Sequence, residues 1–235
     1  MIRPVRASLR YVLFDLDGTL IDSTDLIVTS YEHTYRAHGR LMTVEQIKAD
    51  LGMPLHDTLA QYFRGADLRA AMSTYLEFNL ARHDETVRSV AGVAELVKRL
   101  RHGGLRLGVV TSKMRESARR GLTLCNLDGW FEVVIAKEDT ARHKPDSEPV
   151  LYALAAMDAD AEEASYVGDS PLDVEAADGA GVRSIAALWR PNEESAFEGY
   201  EPDAFARTPE EAADILEAWR DGREFGRPEQ RLQGA

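Results

Sequence analysis

The chain has a single cysteine, Cys125, in 235 residues, so it cannot form an internal disulfide. That fits a reducing compartment, and a cytoplasmic setting is expected. No run approaches the roughly 20 apolar residues that a membrane-spanning helix needs. Met1 to Arg10 holds no apolar core of the length found in a secretory signal. Positive charge is scarce: 28 Lys and Arg stand against 40 Asp and Glu, a formal net charge of −12. So acidic a chain is a poor partner for a nucleic acid backbone or an anionic membrane, and neither is expected as a partner. An anionic substrate would need a local cation or a metal to meet it. The six histidines show no metal-ligand spacing. There is no internal repeat, and none of these features fixes an oligomeric state.

What is present is a hydrophobic fraction of 44%, ample for a core, in a length that suits one large domain or two small ones. Tyr11–Phe14 is a short apolar run that reads as a buried strand. At its end stand Asp15 and Asp17, one residue apart, followed by Gly18, which permits a sharp turn. Taken alone, the stretch reads as an acidic surface turn. Carboxylates are costly to bury unless they are paired or bind metal. Three later stretches also set polar groups in loops. Leu107–Val110 leads into Thr111, Ser112 and Lys113. His143-Lys144-Pro145-Asp146 is a basic turn. Tyr166-Val167-Gly168 leads into Asp169, Ser170 and Asp173. In a parallel α/β sheet the C-terminal ends of the strands share one edge, where ligands bind. A hydroxyl, a cation and two further carboxylates could therefore converge on Asp15.

These four stretches, in this order, resemble the four motifs of the haloacid dehalogenase superfamily, in its phosphatase branch. The resemblance spans roughly residues 9 to 220. It implies an α/β fold, a Rossmann-like doubly wound parallel sheet core with an inserted all-helical cap. The element order agrees, because strand and helix alternate from residue 90 onward, and no strand is read from Asp22 to Thr86. The expected division is a core over 9–21 and 87–221, a cap over 22–86 and a loose tail over 222–235. Polar hinges at Ile21–Thr24 and His83–Ser89 bound the cap. Within it, Asp22-Ser23-Thr24 offers N-cap chemistry for a helix to about His38. Thr43 with Gln46 resembles a capping box, and helices follow over His56–Phe63 and Asp67–Ala81. The core is expected to carry helices over Val90–His102, Arg115–Leu124, Ser147–Met157, Pro171–Gly179 and Pro209–Trp219. Its later strands are expected over Leu105–Val110, Phe131–Ala136, Ser165–Val167 and Val182–Leu188.

The resemblance also implies roles. Asp15 would be the nucleophile that forms an aspartyl-phosphate. Asp17 would serve as general acid and then as base, and a strand-like continuation puts both side chains on one side. Mg²⁺ would be held by the side chains of Asp15 and Asp169 and the backbone carbonyl of Asp17, with Asp173 as a direct or water-linked support. Thr111 and Lys144 would hold the phosphate, with Ser112 and Ser170 in support. The dehalogenases lack the second Asp, so its presence favours phosphate chemistry. Each residue has a plain reading too: helix-start acids for Asp169 and Asp173, a strand-end Thr, a surface Lys. Where relatives often carry Pro, this chain has Ser147, which is expected to cap the following helix. Trp130, Trp189 and Trp219 are read as packing, Cys125 as buried, and Glu193-Glu194 as a solvated turn.

A cap that closes over the site would exclude water and supply selectivity. Gly52 and His56, in and after the Gly52-Met53-Pro54 turn, are the candidate specificity residues. His56 reads equally well as a helix-start residue. Leu20–Ile27, Leu55–Leu59, Thr111–Glu116 and Lys144–Pro149 look closest to bacterial pyrophosphatases of this superfamily. The expected substrate is therefore pyrophosphate, with phosphoglycolate or another small phosphomonoester as the alternative. Sugar-phosphate mutases are similar too, but they carry a cap histidine where this chain has Ile27. A non-catalytic binding protein of this fold would lack a nucleophile, acid, lysine or metal ligand, and all are present here.

Overall fold

The structure is a computed structural model, and it describes residues 7–189 and 194–223. The expected Glu193 turn position, the first six residues and the tail beyond 223 lie outside those residues.

At the centre is β1 (Tyr11–Phe14), whose four residues are all buried. The chain leaves it through a turn and a two-residue strand, β2 (Ile21–Asp22). Four helices follow: α1 (Thr24–Ala37), α2 (Val44–Ala49), α3 (Leu55–Ala60) and α4 (Gly65–Thr86). The chain returns through β3 (Arg88–Ser89), which pairs antiparallel with β2. Strand and helix then alternate: α5 (Val93–His102), β4 (Arg106–Val110), α6 (Arg115–Leu124), β5 (Val133–Ile135), α7 (Glu148–Ala156), β6 (Ala164–Gly168), α8 (Pro171–Gly179), β7 (Arg183–Ala187), β8 (Ala204–Ala206) and α9 (Pro209–Arg220). The six longer strands form one parallel sheet in the order β5-β4-β1-β6-β7-β8. The sheet grows outward from β1 in both directions, the doubly wound arrangement that leaves a ligand crevice at the strand C-terminal ends.

Alternation along β1 serves two faces. Val12 and Phe14 pack with the apolar faces of α5, α6 and α9, whereas Tyr11 and Leu13 pack with α7 and α8. In α5 the residues Val93, Leu96, Val97 and Leu100 are buried, the one-sided stripe of an amphipathic helix. The helices between β2 and β3 bury a cluster of their own, built on Tyr31, Tyr35, Leu59 and Tyr75. The rings of Tyr31 and Tyr75 are 4.7 Å apart. Thr43 and Gln46 form the expected capping box on α2. No helix among the described residues is long and apolar enough to cross a membrane.

Several boundaries differ from expectation. The expected hinges are an ordered two-stranded ribbon, β2–β3. α4 runs on to Thr86, so His83 lies in a helix and not in a polar loop. β8 is a sixth sheet strand, too short to show a periodic pattern, and it is held by pairing with β7. β5 spans Val133–Ile135, shorter than the expected Phe131–Ala136. Ser23 and Ser147 occupy N-cap positions without side-chain cap bonds. At α7 the Asp146 carboxylate caps instead, accepting from the Glu148 N–H at 2.8 Å.

Candidate active site

The C-terminal ends of β1, β4 and β6 bring the polar groups together. The Asp15 N–H donates to the Val167 carbonyl at 2.9 Å, which continues the β1–β6 ladder one residue beyond the strand. The Asp15 side chain is thereby fixed at the sheet edge, and the residue is 6% exposed. Lys144 comes in from the loop after β5. Its ammonium donates to Asp15 Oδ1 at 2.6 Å, to Asp173 Oδ1 at 2.6 Å and to the Tyr166 hydroxyl at 3.3 Å. Tyr166, a β6 residue, donates in turn to the Val110 carbonyl at 2.9 Å. Asp173 accepts from the Ser170 N–H and hydroxyl at 3.0 and 2.7 Å. It therefore caps α8 and anchors Lys144 at the same time.

Two glycines allow this crowding. A Cβ on Gly168 would collide with Asp173. Gly18 has φ +90°, and a Cβ there would fall on the Asp169 carboxylate, so the position needs glycine on both counts.

The two acids after β1 sit in opposite electrostatic settings. Burial pushes the Asp15 carboxyl up to about 7. The Lys144 charge opposes this, and the Asp173 charge adds to it. Burial disfavours the Lys144 ammonium, yet Asp15 and Asp173 hold its pKa well above the ordinary lysine value. Burial also works against the Asp17 charge, but Lys113 at 2.8 Å and the Ser23 hydroxyl at 2.5 Å prevail and hold its carboxyl below the usual range. Neighbouring carboxyls pushed apart in this way are a signature of acid–base sites.

The donor set suits a hard divalent cation. Oxygens of Asp15, Asp169 and Asp173 lie within 4.8 Å of one another, and the buried Asp15 and Asp173 share one ammonium. Clustered carboxylate oxygens with an excess of negative charge fit Mg²⁺.

Asp15, Asp17, Thr111, Ser112, Lys144, Asp169, Ser170 and Gly52 all line one cavity of about 600 Å³ between the sheet edge and the helical insertion. Thr111 Oγ1 accepts from the Lys113 N–H at 3.1 Å, so its own proton is available to a ligand. The Ser112 hydroxyl is buried without a protein partner. Asp173 lies outside this lining, behind Lys144. His56 does not line the cavity either. It belongs to the first turn of α3, half exposed and 3.0 Å from Asp57, and it faces an adjoining groove. It stands at the start of α3, away from the cavity that Asp15 and Asp17 line. Ile27 is part of the cavity wall.

Sequence reasoning missed Lys113, Ser23 and Tyr166. Lys113 follows Thr111 by two residues and was visible as part of that stretch, but nothing in its spacing marks Asp17 as its partner. The tryptophans pack as expected. Trp189 donates to the Thr19 carbonyl at 3.1 Å, and the Arg183 guanidinium lies 5.0 Å from the Trp219 ring centre. Cys125 is buried, and burial pushes its thiol up.

The haloacid dehalogenase-like hydrolase family pattern matches residues 12–187. A Caldanaerobacter subterraneus protein, provisionally named pyrophosphatase PpaX, is 44% identical over 179 residues, covering 76% of this chain and 81% of that protein. Pyrophosphatase PpaX of Bacillus cereus is 37% identical over 193 residues, covering 82% of this chain and 89% of that protein. Among solved structures, a haloacid dehalogenase-like hydrolase from Bacteroides fragilis superposes with a TM-score of 0.79 at 28% identity, over 84% of this chain and 96% of its own. In sequence pattern, in relatives and in fold, the chain belongs to the haloacid dehalogenase-like hydrolase family.

Proposed function

We propose that the protein is a Mg²⁺-dependent phosphohydrolase that cleaves pyrophosphate through a phosphorylated Asp15. One observation carries the reading: a buried Asp15 paired with Lys144 shares a cavity with an Asp17 held ionised by Lys113. The Asp15 carboxylate attacks phosphorus, and the bond from phosphorus to the bridging oxygen breaks. Water then attacks the aspartyl-phosphate, and Asp17 accepts its proton. Lys144 favours the ionised nucleophile, and Thr111 and Ser112 offer hydroxyls to the phosphoryl oxygens. Asp15, Asp169 and the Asp17 carbonyl, with Asp173 in support, would hold Mg²⁺, which would supply positive charge to offset the approach of two anions.

The state of Asp17 favours pyrophosphate over phosphomonoesters such as phosphoglycolate. An alkoxide leaves poorly without a proton, whereas phosphate is a much weaker base and can depart as an anion. An Asp17 held low by Lys113 and Ser23 suits the second case. The names of the relatives point the same way. Residues 22–86 would act as a cap that controls access to the cavity, and the lone buried cysteine is consistent with a reaction in the cytoplasm.

The test is phosphate release from pyrophosphate and from 2-phosphoglycolate, each with Mg²⁺ and with chelator. The expected result is faster release from pyrophosphate, abolished by chelator and reduced about 10³-fold or more in Asp15→Asn. Faster release from phosphoglycolate would overturn the substrate. Turnover that survives Asp15→Asn would overturn the covalent route.

A further inference from the structure

Four lysines line the catalytic cavity: Lys48, Lys113, Lys137 and Lys144. Two have counter-ions inside it, Lys144 on Asp15 and Lys113 on Asp17, and Lys144 also binds Asp173 behind the lining. Lys48 and Lys137 have no counter-ion inside it: among the described residues neither ammonium is salt-bridged to a lining carboxylate, and the opposing charge on Lys48 comes from the exposed Glu45, one turn back on α2. In a chain of 40 acidic residues against 28 basic ones, two cations without a salt bridge in one cavity stand out. Arg142, in the adjoining groove, shows the ordinary state, bound to Asp146 at 3.0 Å and Glu148 at 2.9 Å.

Their placement adds to the charge argument. Lys48 lies in the last turn of α2, on the helical insertion, and Lys137 opens the turn that follows β5 in the core. The two come from opposite walls. The Lys137 N–H donates to the Lys113 carbonyl at 3.0 Å, which fixes that turn against the Thr111 loop. The acids beside Lys137 are engaged elsewhere: Asp139 pairs with the Arg115 side chain, and Glu138 accepts from the Arg115 N–H at 3.0 Å. Among the lining residues of the insertion wall only Lys48 and Asp50 are charged. Lys48 is exposed and Lys137 half-buried, and like charges that face one cavity repel each other unless an anion sits between them.

We infer that Lys48 and Lys137 form a distal anion site. With the reacting phosphoryl group at Asp15, Thr111 and Lys144, the second anionic group of the substrate lies between Lys48 of the insertion and Lys137 of the core. The substrate class is a phosphoryl compound with a second anionic group close to the first. In pyrophosphate that group is the departing phosphate, whose charge the two ammoniums stabilise as it leaves. The inference rests on the phosphohydrolase reading above and adds the residues that select the substrate.

The test uses Lys48→Met and Lys137→Met, which keep the aliphatic stem and remove the charge. Each variant is assayed with Mg²⁺ on pyrophosphate, on 2-phosphoglycolate and on p-nitrophenyl phosphate, whose leaving group carries no second anion. The readout is the kcat/KM ratio of pyrophosphate to p-nitrophenyl phosphate. It is expected to fall about 10-fold in each variant, and further in the double variant, as befits loss of a charge-assisted contact. Lys48→Arg should retain most of the ratio. An unchanged ratio, or equal losses on both substrates, overturns the site while leaving the pyrophosphatase reading intact. If the wild type ignores pyrophosphate, that reading fails by itself, and the ratio for 2-phosphoglycolate decides the site. Binding of imidodiphosphate against inorganic phosphate, followed by calorimetry, reads the same contrast without turnover. Equal affinities for the two in the wild type overturn the inference.

Discussion

Asp15 and Asp17 are separated by one residue and differ in almost every physical respect. Asp15 is raised by burial and depends on Lys144 for its charge. Replacing Lys144 with Met removes the largest influence that lowers the Asp15 pKa. The ionised fraction at neutral pH then falls, and residual activity should climb toward more alkaline pH than in the wild type, as a pH–rate profile would show. The same shift has a consequence for folding. A carboxyl raised from 3.8 to about 7 in the native state favours folding while it is protonated. That contribution is full below about pH 4 and is lost as pH rises through 7. Asp15→Asn should therefore raise the melting temperature of the metal-free protein at and above pH 7 while it abolishes turnover, a trade of activity for stability. At Gly18, alanine would meet both the left-handed φ and the Asp169 carboxylate. We expect at least about 1 kcal/mol of destabilisation by chemical denaturation, together with weakened Mg²⁺ dependence. At this scale the clustering of Asp15, Thr111, Lys144, Asp169 and Asp173 at one sheet edge was legible, because each motif sets a polar residue of one chemical type after an apolar run or in a loop. The partners were not. Ser23 has the chemistry of an N-cap, yet the cap geometry is absent and its hydroxyl turns to Asp17.

Among the elements, α4 and α6 carry the joint between insertion and core. The Arg120 guanidinium of α6 binds Asp84 of α4 through two bonds of 2.7 and 2.9 Å, and the Leu80 carbonyl at 3.2 Å. Hydrogen bonds from Arg120, and then from the fully buried His83, hold Asp84 at about 2, down from 3.8. A depressed carboxyl contributes stability above its unfolded pKa and loses it as pH falls through the folded one. The Asp84 contribution should therefore fade between about pH 4 and 2 and be absent from Asp84→Asn across that window, as denaturation at stepped pH would show. The pair is exposed, so added salt should shrink the effect. The capping box on α2 makes a separate prediction. Thr43→Ala should cost about 1 kcal/mol by denaturation and loosen the segment that carries Lys48. The long amphipathic helices were legible from their apolar stripes, and α2 from its capping box. Strands β2, β3 and β8 were not, because runs of two or three residues carry no period and exist only through their pairing partners.

For the whole molecule, the sheet holds Asp15, Lys144 and the Asp169 loop along one edge, and the insertion supplies the facing wall. Each has its own apolar cluster, so each can keep its shape if the joint between them moves. The general plan was legible because three polar stretches at strand ends, with the Lys144 loop between two of them, can meet only at one edge of a parallel sheet. The facing wall was not, because which insertion residues reach the cavity depends on how separate helices pack. The ribbon β2–β3 carries one more consequence. Ile21 and Ser89 stand side by side in it, so everything between them is a single excursion that starts and finishes at one place. It is severable. Joining β2 to β3 through a two-residue Asn-Gly hairpin turn should leave a folded, stripped-down hydrolase. That miniature should still turn over p-nitrophenyl phosphate with Mg²⁺, but with its preference among phosphorylated compounds erased, having surrendered discrimination and kept chemistry.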